Sequence, residues 1–223
     1  MTYSLAFDIY GTLINTSGIQ ESLENLIGGK AKAFTDTWRS KQLEYSFRRG
    51  LMKDYVDFSV CTKQALDYCC LQYKVKLTAS QKQQLLWEYK ELPIFPDVIE
   101  GLNALTQKGH KISAFSNGTS QDIRSLLYYA DIIHLFDHIV SVEEVQSFKP
   151  DPLVYEHFCK ITQSEKENTY LISSNSFDIL GALNYGLKTV WIQRNEENSF
   201  DPWEKAPSYT ANSISNIVDL LKD

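Results

Sequence analysis

Chemically capable residues recur in this chain at one kind of place, the position directly after a short apolar run. Leu5-Ala6-Phe7 is followed by Asp8, Ile112 to Phe115 by Ser116-Asn117-Gly118, and Tyr170 to Ile172 by Ser173-Ser174-Asn175, with Asp178 just beyond. Lys149 follows the run Ile139 to Val142, in a segment punctuated by Pro150 and Pro152. Taken singly, each has a plain structural use: turns and helix caps account for Asp8, Ser-Asn-Gly, Ser173 and Asn175, and solvation for Lys149. Taken together they supply a carboxylate nucleophile, a cation that would keep it ionised, hydroxyl and amide donors, and a second carboxylate. Backbone N–H groups at Gly11, Thr12, Gly118 and Thr119 would bind an anionic substrate where turns or helices begin.

The elements that must position these groups follow from the pattern. Leu5 to Phe7, Ile112 to Phe115, Ile139 to Val142, Tyr170 to Ile172 and Thr189 to Ile192 read as buried strands. Gln121 to Tyr129, Leu153 to Ile161 and Phe177 to Tyr185 have helical spacing, the last closed by Gly186. Such alternation builds an α/β fold, a doubly wound, Rossmann-type parallel sheet in which ligands bind beyond the carboxyl ends of the strands.

One region breaks the alternation. From about Asn15 to Pro93 the chain reads as helices without a strand: one ended by Gly28-Gly29, and a long one with Phe34, Trp38, Gln42 and Tyr45 along one side. A third spans Asp54 to Tyr73, and a fourth opens with the capping box Thr78-Ala79-Ser80-Gln81. The expected organisation is a core of residues 1–14 and 94–223 with a helical cap, 15–93, inserted after the first strand.

Composition narrows the function. The 223 residues carry a formal charge of -6, which leaves no basic surplus for nucleic acid or an anionic membrane. No run is long and apolar enough to span a bilayer, and the start lacks a signal-peptide pattern, so a cytoplasmic protein is expected. Cys61, Cys69, Cys70 and Cys159 form no CxxC pair and are expected to be reduced and mostly buried. His134 and His138 are spaced four apart but lack the HExxH signature, which favours packing over a zinc site.

Phe7-Asp8-Ile9-Tyr10-Gly11-Thr12-Leu13 resembles the first motif of the haloacid dehalogenase superfamily, Ser116-Asn117-Gly118 the second, Lys149-Pro150 the third, and Ser173 through Asp178 the fourth. The resemblance covers nearly the whole chain, cap included. Most phosphatases of that superfamily need magnesium and carry an acid two residues after the nucleophile, where this chain has Tyr10. They also carry a Gly-Asp pair where it has Ser173-Ser174. Both departures point to carbon rather than phosphorus and to catalysis without a metal or other cofactor. Trp38 to Tyr45 resembles the cap segment of L-2-haloacid dehalogenases, with Ser40 where a glutamine is expected.

That resemblance implies a small 2-haloacid substrate, a halide product and homodimeric assembly. Asp8 would attack C2 of the substrate, and water would release a D-2-hydroxy acid from the resulting aspartyl ester. Arg39, Asn117 and Phe177 would cradle the halide, and Ser116 would hold the carboxylate. Lys149, Thr12, Ser173 and Tyr155 would orient Asp8, while Asn175 and Asp178 would position water. Tyr10, Leu43, Phe58 and Phe177 would wall the alkyl part, beside Gly11. The alternatives are a magnesium-dependent phosphatase and a non-catalytic binding protein on the same fold.

Overall fold

Leu5, Ala6 and Phe7 are wholly buried, as an apolar run without alternation requires: the strand they form is covered on both faces. In the computed structural model, which describes residues 2–221, this strand, β1 (Ser4–Phe7), is central. β2 (Lys111–Ser116) and β3 (His138–Ser141) lie to one side, and β4 (Thr169–Ser173), β5 (Lys188–Ile192) and β6 (Tyr209–Ala211) to the other. All neighbours are parallel, in the order β3-β2-β1-β4-β5-β6. The strand order reverses at β1 and β4, which opens a crevice above their carboxyl ends. Asp8 and Ser173 stand there.

Helices cover the sheet: α5 (Val98–Gln107), α6 (Ser120–Tyr129), α7 (Pro152–Thr162), α8 (Ser176–Tyr185) and α9 (Ile214–Leu220) in the core. Gly186 closes α8 at φ 105°, as expected for a left-handed terminator. The strand β6 and the helices α5 and α9 were not legible in the pattern. β6 is three residues long and exposed at two of them, so it carries no strand signature.

Residues 15–93 contain helices and no strand: α1 (Gln20–Ile27), α2 (Ala31–Met52), α3 (Phe58–Gln72) and α4 (Ala79–Glu88). The Thr78 capping box forms with both of its bonds. α3 begins at Phe58 rather than Asp54, because α2 ends on left-handed Lys53 and Arg49 holds Asp54 at 2.6 Å in the extended link. Phe34, Trp38 and Gln42 are buried along α2, with Tyr45 half-buried. The two connections to the core run side by side: Asn15 N–H donates to Pro93 O at 2.7 Å and Phe95 N–H to Leu13 O at 3.0 Å. One apolar cluster then joins Leu5 and Phe7 of the sheet to Phe34, Trp38 and Leu66 of the helical segment. No helix among the described residues is long and apolar enough to cross a membrane.

Candidate active site

Asp8 follows β1 and is 7% exposed, so its charge depends on the groups around it. Its Oδ2 accepts from Thr12 Oγ1 at 2.8 Å, Ser173 Oγ at 3.0 Å and Asn175 Nδ2 at 2.7 Å. Among the described residues its Oδ1 accepts only from Lys149 Nζ, at 3.1 Å. Burial is the largest influence on this carboxyl and pushes its pKa up, but Lys149, Thr12 and Arg39 together outweigh it and hold the pKa below the ordinary value. Gly11, at φ 85°, makes the turn that brings Thr12 back onto Asp8, a backbone conformation that favours glycine.

Lys149 is buried with all three ammonium protons placed: Asp8 Oδ1, Asp178 Oδ2 at 2.7 Å and Phe115 O at 2.9 Å. Burial alone would lower its pKa, yet the two carboxylates raise it, so it stays charged. Asp178 has no solvent exposure, and burial pushes its pKa up to about 6 against the opposing pull of Lys149. Its Oδ1 accepts from Tyr155 OH at 2.8 Å. Gly181 makes room for that phenol, since a Cβ there would stand 2.4 Å from the Tyr155 oxygen.

The structure thus gathers Asp8, Thr12, Lys149, Ser173, Asn175, Asp178 and Tyr155 into one network, with partners that differ in part from expectation. Tyr155 bonds Asp178, not Asp8. Both protons of the Asn175 amide are spent, on Asp8 and on Tyr10 O at 3.1 Å, so only its oxygen is left to meet a water. Three of the expected anion-binding amides are also used internally: Gly11 N–H donates to Ile14 O, Thr12 N–H to Ile9 O and Gly118 N–H to Ser116 Oγ. The amides of Ile9, Tyr10 and Asn117, which follow β1 and β2, make no such bond among the described residues.

From the helical segment, half-buried Arg39 reaches across to donate to Tyr10 O at 3.2 Å. Asn117 accepts the Lys149 N–H on its Oδ1 at 2.9 Å, which fixes the amide and leaves Nδ2 as a donor. Ser116 accepts on its oxygen and keeps its proton to donate. Arg39, Asn117 and Phe177 are not joined by a direct hydrogen bond or ring contact among the described residues; Phe177 meets the Phe47 ring edge-on at 5.0 Å. The expected apolar wall is likewise divided. Tyr10 and Phe58, with rings 6.2 Å apart, line a cavity of about 250 Å³ together with Tyr89 and Gly118. Phe177 lines another beside Phe47, Lys149 and Pro150, and half-buried Leu43 lines neither.

Sequence reasoning missed the Tyr10 carbonyl, Tyr89 and Arg194. Tyr89 stacks on Tyr10 at 5.9 Å and donates to buried Gln42 at 2.9 Å. A carbonyl has no side-chain signature, and nothing in the pattern around Tyr89 or Arg194 marks a site.

The residues present do not fit a magnesium ion, which prefers several oxygen ligands around it. Lys149 already balances both carboxylates, and Ser174, standing where a second acid would be needed, donates to Gly11 O at 2.7 Å. No group of three or more His, Cys, Asp or Glu among the described residues is placed to hold a metal. His134 lies in a short 3-10 turn and His138 opens β3, so the two share no helix face. The four cysteines are free, three of them buried, and burial pushes the Cys69 thiol up to about 12.

A family model described as haloacid dehalogenase-like hydrolase matches residues 4–186. The chain is 34% identical to haloacetate dehalogenase H-2 of Moraxella sp. (strain B), over 98% of this chain and 97% of that one. It is 33% identical to (S)-2-haloacid dehalogenase of Pseudomonas sp. (strain YL), over 98% and 94%. The structure of L-2-haloacid dehalogenase from Xanthobacter autotrophicus with chloropropionic acid covalently bound superposes with a TM-score of 0.91 at 26% identity, covering 99% of this chain and 98% of that one.

Proposed function

The chain belongs to the haloacid dehalogenase-like hydrolases, and from that membership we propose that it hydrolyses short L-2-haloalkanoic acids to D-2-hydroxy acids through an ester on Asp8. The observation that carries the reading is the unequal bonding of the two Asp8 oxygens. Oδ2 holds three donors and Oδ1 one, so Oδ1 keeps a lone pair for attack.

Oδ1 attacks C2 in line with the carbon–halogen bond, whose electron pair departs with the halide. Arg39 and the Asn117 Nδ2 receive that anion, with Phe177 beside them. The substrate carboxylate takes the Ser116 hydroxyl and the free amides of Ile9 and Tyr10, and Tyr10 and Phe58 flank its alkyl part. Water then attacks the carboxyl carbon of Asp8. The negative charge this places on Oδ2 meets Thr12, Ser173 and Asn175, donors already in place, where a single one contributes about 3–4 kcal/mol. Asp178 takes the proton from water, the hydroxy acid leaves with inverted configuration, and Asp8 retains one oxygen from solvent. Lys149 keeps both carboxylates in play without a metal.

The same reading places the enzyme in the cytoplasm as a homodimer. Free, buried thiols suit a reducing compartment. Exposed Met52 and Leu71, which line one surface cavity with Tyr45 and Tyr68, offer an apolar contact for a second copy.

Halide release from L- and D-2-chloropropionate and from a haloacetate, each with and without EDTA, tests the proposal. Chelator-resistant release from the L enantiomer is expected. Single turnover in H₂¹⁸O should put label into the peptide containing Asp8; label in the hydroxy acid alone would exclude the ester.

A further inference from the structure

Arg194 follows β5, and its side chain reaches the turn after β1. Its Nη1 donates to both carboxylate oxygens of Asp97, at 2.7 and 2.8 Å. Its Nε and Nη2 both donate to the carbonyl of Thr12, at 3.1 and 2.6 Å. The guanidinium lies 4.1 Å over the Phe95 ring, and its side chain is 11% exposed. Asp97 is itself anchored by the Ile214 N–H at 2.6 Å. One planar cation therefore joins the turn after β1, the connection returning from the helical segment and the start of α9. A planar fork of this shape gives the carbonyl two donors on one side and meets the carboxylate on the other, a geometry that the point charge of a lysine does not reproduce.

The residue it grips carries the hydroxyl that bonds Asp8 Oδ2 at 2.8 Å. Within the turn, Ile9 O takes the N–H groups of Thr12, Leu13 and Ile14, so the Thr12 carbonyl has no partner in the turn itself. A free carbonyl would let the peptide swing about Thr12 ψ, and the hydroxyl would swing with the backbone. We propose that Arg194 is a positioning residue for the nucleophile: by tying the Thr12 carbonyl to Asp97 it keeps the Thr12 hydroxyl on Asp8. The inference rests on the dehalogenase reading of the same site.

Arg194→Gln, Arg194→Lys and Asp97→Asn, alone and in a Thr12→Val background, test it. Expected for Arg194→Gln is a drop in kcat of about tenfold with little change in KM, the effect of one lost hydrogen bond to Asp8. Arg194→Lys and Asp97→Asn should fall in between, and in the Thr12→Val background all three should have no further effect on kcat. The carboxyl of Asp8, followed by ¹³C NMR in the intact protein, should titrate higher in Arg194→Gln and Asp97→Asn. It faces Lys149, Arg39, Asp178 and Tyr155 as well, and these are unchanged in the variants. A merely structural clamp would lower thermal stability, leave kcat and the Asp8 titration unmoved, and act equally with and without the Thr12 hydroxyl; that result overturns the proposal. Should Arg194→Gln fail to fold, the two milder variants discriminate between the same outcomes. Wild type that releases no halide would sink the dehalogenase reading, while the Asp8 titration still decides the role of Arg194.

Discussion

Lys149 Nζ lies 2.7 Å from Asp178 and 3.1 Å from Asp8, a buried ammonium shared by two buried carboxylates. Such a triad is costly to desolvate and holds only because each member compensates another. Its charges divide the chemistry: Asp8 is kept ionised, whereas Asp178 is pushed up to about 6. The Phe115 carbonyl uses the third ammonium proton, so Lys149 acts on the carboxylates and has no proton left for the substrate.

Lys149→Met leaves two buried carboxylates without their counter-charge. Thermal or urea unfolding should show a loss of about 3–5 kcal/mol. Halide release at neutral pH should fall by about 100- to 1,000-fold. Unchanged stability would mean that the triad is not buried as described.

The two carboxyls should separate the half-reactions by pH. Asp8, lowered below 3.8, still forms the ester in acid, whereas Asp178, raised to about 6, is protonated there and cannot take the proton from water. At about pH 5 a rapid-quench experiment should show a stoichiometric burst of halide followed by slow hydroxy-acid release, with no burst at about pH 8. The stability terms have opposite signs. The Asp8 contribution is present above its ordinary value and is lost as pH falls through its lowered one. That of Asp178 is fully present below 3.8 and fades as pH rises to about 6.

Tyr155→Phe removes the phenol that helps hold the Asp178 pKa down. The acid limb of kcat should move to higher pH and ester hydrolysis should slow about tenfold, while the halide burst is retained. Loss of the burst as well would place Tyr155 in the first half-reaction.

Gly181→Ala puts a Cβ 2.4 Å from the Tyr155 oxygen and 2.6 Å from Pro150 Cβ. Overpacking of this kind costs about 1–3 kcal/mol, readable as a lower Tm. The displaced phenol should reproduce the kinetic defect of Tyr155→Phe.

Asp8→Asn should fold, by circular dichroism, and release no halide, because a neutral amide is no nucleophile toward a saturated carbon. Turnover by a folded Asp8→Asn protein is the outcome that would end the covalent reading.

What the amino-acid order determined by itself is where reactive groups stand along the sheet. Apolar runs such as Leu5 to Phe7 and Tyr170 to Ile172 must be strands buried on both faces, so the polar residue that ends each run comes out at the carboxyl edge. That placed Asp8, Ser116 and Ser173, and the helical reading of 15–93 followed from spacing together with the Gly28-Gly29 stop and the Thr78 capping box. Tertiary structure decided who bonds whom. Asn175 turns to Asp8 and Tyr10, Tyr155 to Asp178, and Arg194 to Thr12 from 182 residues further along the chain. Periodicity records only which face of an element is buried, whereas a hydrogen bond depends on ångström distances set by how distant elements pack. For that reason the missing Cβ of Gly181 and the carbonyls of Tyr10 and Thr12 became visible only once the chain was folded.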